Sequence, residues 1–179
     1  MTRLPKISGM YVHLRLHSEY SVVDGTCRVD EAVSRAASDG QGALGLTDLA
    51  NLFGAVKFYK AARAKGVKPL LGADLRVEVP GGADGGARML VLAQNWQGYL
   101  NLSELLARAW TLNLVKGQAV VKTRWLEELN EGLILLSGAQ QGPVGQMLAR
   151  GDEAAAAQQA LHWASVFPHR FYLEVQRAG

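Results

Sequence analysis

The chain has 179 residues, of which 49% are hydrophobic and 20% charged, with a formal net charge of +3. That size and composition fit one soluble α/β or α+β domain and exclude a disordered chain. No apolar run approaches the roughly 20 residues that cross a bilayer, and residues 1–10 carry no long apolar stretch of the signal-peptide kind, so a cytoplasmic location without membrane contact is expected. The single cysteine, Cys27, excludes an internal disulfide framework and a thiolate zinc site; it reads as an inert packed thiol.

Charge is unevenly spread. Residues 1–79 hold 11 basic and 8 acidic side chains, whereas residues 80–179 hold 8 of each. The excess concentrates in Lys57, Lys60, Arg63, Lys65 and Lys68, a stretch without an acid. Such a patch attracts phosphates or an acidic partner. With only Phe58 and Tyr59 interleaved, a solvated helix face is the plainer reading, and DNA and protein both stay open as contacts.

In chain order, Tyr11 to Leu16 alternates like a strand and Val29 to Ser38 has helical spacing before Gly40. A strand is predicted over Ala43 to Thr47, a helix over Ala55 to Lys65 stopped at Gly66, and a strand over Pro69 to Val79, whose opening proline sits where a missing N–H is tolerated. The G-G-A-D-G-G turn at Gly81 to Gly86 lacks the Gly-Lys-Ser/Thr ending of a P-loop and reads as a hairpin connection. A strand at Arg88 to Ala93 leads to a helix from about Gln97 to Trp110, with Leu100, Leu102, Leu105 and Leu106 on its apolar side. Thr123 is a plausible N-cap for a short helix over Trp125 to Leu129. Leu133 to Leu136 reads as a buried strand, 144–150 and 153–166 as helices, and Phe171 to Val175 as the last strand. The stretch S-G-A-Q-Q-G-P-V-G, with Gly138, Gly142 and Gly145, lies between strand and helix, where backbone amides cradle an anion, but its spacing is not a dinucleotide fingerprint and a plain turn is favoured.

Strands alternating with helices predict parallel βαβ units, in an open doubly wound sheet or a barrel. A barrel of this kind takes about 200–250 residues. The chain stops at Gly179, directly after a strand, so the expected fold is a truncated barrel forming a single domain over residues 1–179, with an exposed strand edge that favours association.

Chemistry in such folds collects at the C-terminal ends of parallel strands. The run H-L-R-L-H-S-E-Y-S-V-V-D-G (13–25) sets His17 and Ser18 past a strand with Asp24 close behind; T-D-L-A-N-L-F-G (47–54) puts Asp48 at a strand tip; K-P-L-L-G-A-D-L (68–75) brings in Asp74. Two-residue spacing sends Arg15 and His17 to one side of a strand, so these two and the three carboxylates are expected to meet. Histidine with carboxylates is a natural metal-ligand set. His13 falls on the opposite strand face, and His162 and His169 have no motif partner, so all three read as structural or surface residues. Trp96, Trp110, Trp125 and Trp163 read as core or edge packing rather than a base-stacking platform.

Six segments in order and at matching spacing carry a resemblance: V-H-L-R-L-H-S-E-Y-S-V-V-D-G, A-L-G-L-T-D-L-A-N-L-F-G-A-V-K-F-Y-K, G-V-K-P-L-L-G-A-D, L-V-L-A-Q-N-W-Q-G-Y-L-N-L, E-L-N-E-G-L-I-L-L-S-G and F-P-H-R-F-Y-L-E-V. With these the chain resembles the PHP (polymerase and histidinol phosphatase) domain, in the form found at the N-terminus of bacterial replicative DNA polymerases. The resemblance implies a distorted βα barrel of about seven strands, roughly two thirds of it present here, followed in the parent chain by polymerase domains that hold the catalytic aspartates of polymerisation. Metal-binding members of the family begin their site with His-x-His, continue with Thr-Asp-His and use a glutamate after a Gly-x motif. Here Arg15, Leu49 and Asp74 stand at those three positions, and a further family histidine is replaced where Arg177 and Ala178 follow Gln176.

Leucine has no lone pair to offer, and arginine stays protonated and cannot ligate. A guanidinium about 5 Å from a divalent ion costs roughly 6 to 7 kcal/mol at an effective dielectric near 20. The expectation is therefore an empty metal site, with no cofactor, in which Arg15 pairs with Asp24, Asp48 or Asp74. The function this implies is a non-catalytic scaffold whose partner is the proofreading exonuclease subunit, with other replisome subunits and DNA reached through the parent chain. One alternative is a metal-dependent phosphoesterase or pyrophosphatase using His17, Asp24, Asp48 and Asp74 around several metals. Another is the PHP domain of an error-prone polymerase homologue, less well matched by T-D-L-A-N-L-F-G and L-N-E-G-L-I-L-L-S-G.

Overall fold

In the computed structural model, which describes residues 11–79 and 85–175, the helices follow the apolar spacing of the sequence. Helix α1 (Val29–Ser38) carries Asp30 and Glu31 in its first turn and Arg35 in its last, complementing the helix dipole, and buries Val29, Val33 and Ala36. Strand β1 (Ala43–Leu46) leads to α2 (Ala55–Ala64), which buries Ala55, Phe58 and Ala62. Gly66, at a φ of 72°, ends that helix in the left-handed conformation glycine adopts without strain. These elements share a core of Val33, Leu44, Leu46, Phe58 and Ala62.

The ten-residue strand β2 (Lys68–Val77) organises the sheet. Its first half pairs parallel with β1, from Ala43 opposite Lys68 to Leu46 opposite Leu71. Its second half pairs antiparallel with β3 (Ala87–Ala93), from Gly72 opposite Leu92 to Val77 opposite Ala87. Helix α3 (Trp96–Leu112) starts at Asn95, whose side chain accepts the Gly98 N–H, and is followed by a hairpin of β4 (Leu114–Val115) and β5 (Gln118–Val121). Helix α4 (Thr123–Glu128), β6 (Leu133–Leu136), α5 (Pro143–Ala149), α6 (Glu153–Val166) and β7 (Phe171–Tyr172) complete the chain. The strand order is β4-β5-β2-β3-β6-β7, with β1 also paired to β2.

Period-2 alternation sorts the sheet into two faces. Ala73, Leu75 and Val77 of β2, Met89 and Val91 of β3 and Leu133 and Leu135 of β6 pack with Leu102, Leu105 and Trp163 in the main core. Leu90, Leu92 and Leu136 form a small apolar cluster on the other face, beside Asp74, which sits opposite Leu90. The sheet curls around this second face as an open, partial distorted barrel.

Four expectations need correction. The parallel βαβ expectation holds only in part: β2–β3 is antiparallel, in keeping with the hairpin reading of the glycine-rich turn, and β3–β6 is antiparallel as well. Residues 81–84 of that turn lie outside the described residues, as do Gln176, Arg177 and Ala178. Tyr11 to Leu16 is no regular strand; it runs beside β1 through Gly45 N–H to the His13 carbonyl (2.7 Å) and Thr47 N–H to the Leu16 carbonyl (2.9 Å), while the Thr47 hydroxyl takes the Leu16 N–H that a ladder would use. Thr123 is inside α4 rather than its cap, since its hydroxyl donates to the Glu78 carbonyl. The last strand ends at Tyr172 instead of Val175 because Glu174 N–H turns to the Ser137 hydroxyl (2.9 Å). The β4–β5 hairpin escaped the sequence reading, although Lys116 and Gly117, both at positive φ (51° and 77°), form the two-residue loop that such a connection requires.

Candidate functional site

Asp74 lies at the centre of the inner face and is fully buried. An isolated carboxylate there would be strongly disfavoured, so its partners decide whether the fold tolerates it. Arg15 Nη1 donates to Asp74 Oδ2. From β3, Arg88 donates through Nε to Oδ1 (3.0 Å) and through Nη2 to Oδ2 (2.8 Å). His17 Nε2 lies 3.2 Å from the same Oδ2, while its Nδ1 faces Asp24 Oδ1 at 2.9 Å. Arg15 also grips Glu174: Nη2 donates to Oε2 at 2.8 Å and to Oε1 at 3.1 Å. Three carboxylates, Asp74, Asp24 and Glu174, thus interlock with Arg15, Arg88 and His17 in one network.

The electrostatics follow from this packing. Burial pushes the Asp74 carboxyl upward, but hydrogen bonds from His17 and Arg88 and the charges of Arg15 and Arg88 outweigh it and hold it below the ordinary carboxylate range. His17 is raised, first through its bond to Asp74, against the opposing effect of burial and with Asp24 reinforcing it. Asp24 is lowered although burial opposes this, because the Ser21 hydroxyl (2.7 Å) and His17 both bond its carboxylate. Asp48 is raised by burial, which its Ser18 partners offset only in part.

Of the six residues singled out in the sequence, Arg15, His17, Asp24 and Asp74 are brought together. Asp48 is turned away: Oδ1 accepts the Ser18 N–H (2.6 Å) and Oδ2 the Ser18 hydroxyl (2.9 Å), so it braces the turn that carries His17. Leu49 packs against the main core and contributes its backbone N–H to the Ser21 hydroxyl (3.0 Å). Arg88 and Glu174 were missed. Arg88 stands where the glycine-rich turn re-enters the sheet, and only the antiparallel register brings it beside Asp74. Glu174 sat within the quoted F-P-H-R-F-Y-L-E-V segment, and an acid leaving the last strand was the available signal.

The loop at Gly138 does meet an anion. Gly138 N–H donates to Glu174 Oε2 at 2.8 Å, so the carboxylate occupying that amide is the protein's own. Gly138 has a φ of 78°, and a Cβ there would lie 1.7 Å from the Arg88 carbonyl oxygen, so both conformation and space demand glycine. Among the other residues, His13 is exposed and edge-on to Tyr11, His162 pairs with Glu127 (3.0 Å), and Cys27 is half-buried. Trp125 and Trp163 are core residues, but Trp96, the first residue of α3, is 70% exposed.

These donors do not fit a divalent metal. Both Asp74 oxygens already accept from guanidinium groups, Asp48 is committed to Ser18, and among the described residues no group of three or more His, Cys, Asp or Glu side chains is arranged to hold an ion. A guanidinium in contact with the central carboxylate also opposes a second cation there.

The PHP domain model matches residues 13–178. The chain belongs to the PHP domain family. This PHP domain is 42% identical to DNA polymerase III subunit alpha of Pseudomonas aeruginosa, over 94% of this chain and 14% of that protein. It is 46% identical to DNA polymerase III subunit alpha of Neisseria meningitidis serogroup A, over 93% of this chain and 15% of that protein. The PHP domain thus spans about one seventh of the curated relatives it matches. A solved protein of Bifidobacterium adolescentis, provisionally assigned as a metal-dependent phosphoesterase, superposes with a TM-score of 0.52 at 13% identity, over 90% of this chain and 85% of that one. That likeness establishes the shared fold. No helix among the described residues is long and apolar enough to cross a membrane.

Proposed function

We propose that this PHP domain is the corresponding part of a bacterial replicative polymerase, a DNA polymerase III alpha subunit, and serves there as a non-catalytic scaffold and docking platform for the proofreading exonuclease subunit. The polymerase domains, other replisome subunits and DNA belong to the parent chain in this reading. The observation that carries the scaffold assignment is the Arg15 guanidinium bridging Asp74 and Glu174. A positive side chain supplies the neutralisation a metal supplies in ligating members of the family, and it brings no water for attack on a phosphoester. A cofactor-free, ion-paired cluster holds the barrel wall in shape without chemistry.

Elemental analysis of the purified chain, before and after incubation with zinc and manganese, tests this. The native chain is expected to hold no stoichiometric metal and to leave a model phosphoester unhydrolysed. Stoichiometric metal in the native chain, with phosphoester hydrolysis, overturns the scaffold assignment in favour of a phosphoesterase. Capture of the exonuclease subunit by the intact alpha subunit, compared with an alpha subunit lacking this domain, tests the docking role separately.

A further inference from the structure

On the outer surface, away from the ion-paired cluster, a groove of about 570 Å³ runs between α2 and the start of α3, with Val56, Tyr59, Lys60, Leu71, Trp96 and Tyr99 among its walls. Trp96 is 70% exposed, Val56 66% and Tyr59 50%, which leaves a contiguous apolar surface of the kind that marks a binding site. Trp96 is not loose: its ring stacks on Tyr99 with centroids 5.3 Å apart, so it stands as a fixed wall. Val56, Tyr59, Lys60 and Arg63 fall at i, i+3, i+4 and i+7 of α2, one stripe along the groove.

The charge around it is one-sided. Lys57, on the neighbouring stripe, is neutralised by Glu19 (2.9 Å) and Asp30 (3.4 Å). Lys60, Arg63, Lys65 and Lys68 are exposed and have no ion-pair partner among the described residues. We propose that this groove docks an acidic segment of a partner protein, which seats an aliphatic or aromatic side chain between Tyr59 and Trp96 and lays its carboxylates along Lys60, Arg63 and Lys68. Complementarity of charge selects the segment, and the apolar floor of Leu71, Pro69 and Ala93 selects its anchor. Single-stranded nucleic acid fits less well. The α3 side of the groove offers Gln94, Asn95 and Trp96 but no cation, so a phosphate backbone would be held along one wall only. The inference stands without the exonuclease reading, and adds a surface to it where that subunit presents such a segment.

Selection of short random displayed peptides on the immobilised chain tests it, followed by anisotropy titration of an enriched peptide and of a short oligothymidylate. Enriched peptides are expected to be acidic around one apolar anchor, to bind more weakly as salt rises, and to lose roughly tenfold or more in affinity with Trp96→Ala and with Lys60→Glu, Arg63→Glu. All three side chains are exposed, and unfolding midpoints equal to the native one verify that the variants fold. Absence of enrichment, enrichment of peptides without acids, binding indifferent to both variants, or oligothymidylate in place of peptide as the ligand the variants lose overturns the proposal. Exonuclease capture on the same variants is read separately: capture retained while peptide binding is lost keeps the groove and moves the exonuclease elsewhere.

Discussion

Arg15 and Glu174, 159 positions apart in the chain, form a two-pronged ion pair that ties the segment running alongside β1 to the segment leaving β7. Backbone pairing closes neither side of that seam among the described residues; the guanidinium does, while its other arm neutralises Asp74. Arg15→Met should therefore destabilise the chain by about 2–3 kcal/mol, less than the 3–5 kcal/mol typical of breaking a buried pair, because Arg88 and His17 still face Asp74. Arg15→Lys should recover only part of this, since one ammonium cannot fork between two carboxylates. Urea unfolding of the three proteins measures both values, and an Arg15→Met chain as stable as the native one would refute the seam role.

The His17 bonds set a pH dependence of definite sign. Its folded value is raised above 6.5, so the stabilisation it supplies is complete below 6.5 and is lost as pH rises through the folded value. Asp74 and Asp24 are lowered from 3.8, so their contribution is present above 3.8 and is lost as pH falls through their folded values. Denaturation midpoints from neutral to mildly alkaline pH should fall for the native chain and flatten in His17→Gln. An unchanged slope in the variant assigns the dependence to another group.

Gly98 tests the docking of α3. A Cβ on it would lie 1.9 Å from the Gly132 carbonyl oxygen, and that neighbour is backbone that cannot swing aside. Gly98→Ala gains helix propensity yet should lose about 1–3 kcal/mol by overpacking. A melting temperature equal to or above the native one would show that the loop yields freely.

Trp110 makes a directed contact as well as an apolar one. Its indole N–H donates to the Ala50 carbonyl at 2.7 Å, and Ala50, at a φ of 52°, is a left-handed alanine in the T-D-L-A-N turn. Trp110→Phe should cost about 1–2 kcal/mol by orphaning that carbonyl and removing part of the ring. Faster amide exchange confined to residues 49–54 in the variant is the accompanying signature; unchanged exchange there would separate Trp110 from the turn.

Local chemistry carried much of this architecture into the sequence. The apolar spacing of α1, α2 and α3, the glycine stop at Gly66 and the continuous apolar run of β6 are properties of neighbours in the chain, so they were readable without a fold. The candidate site was readable to the same depth: the strand-end positions of Arg15, His17, Asp24 and Asp74 pointed to one cluster, because period-2 and strand-tip placement are local rules.

The tertiary structure decided what local rules do not reach. A hairpin connection at Gly81 to Gly86 implies an antiparallel β3, but the apolar positions Ala73, Leu75 and Val77 are silent about its register. Direction and register in turn determine that Arg88 stands beside Asp74, that Gly138 lies against the Arg88 carbonyl and holds Glu174, and that Glu174 reaches Arg15. By itself the sequence determined that carboxylates and a fixed positive charge would share one site. Which charges compensate which is a matter of distances of about 3 Å between residues far apart in the chain, and only the folded sheet sets those distances.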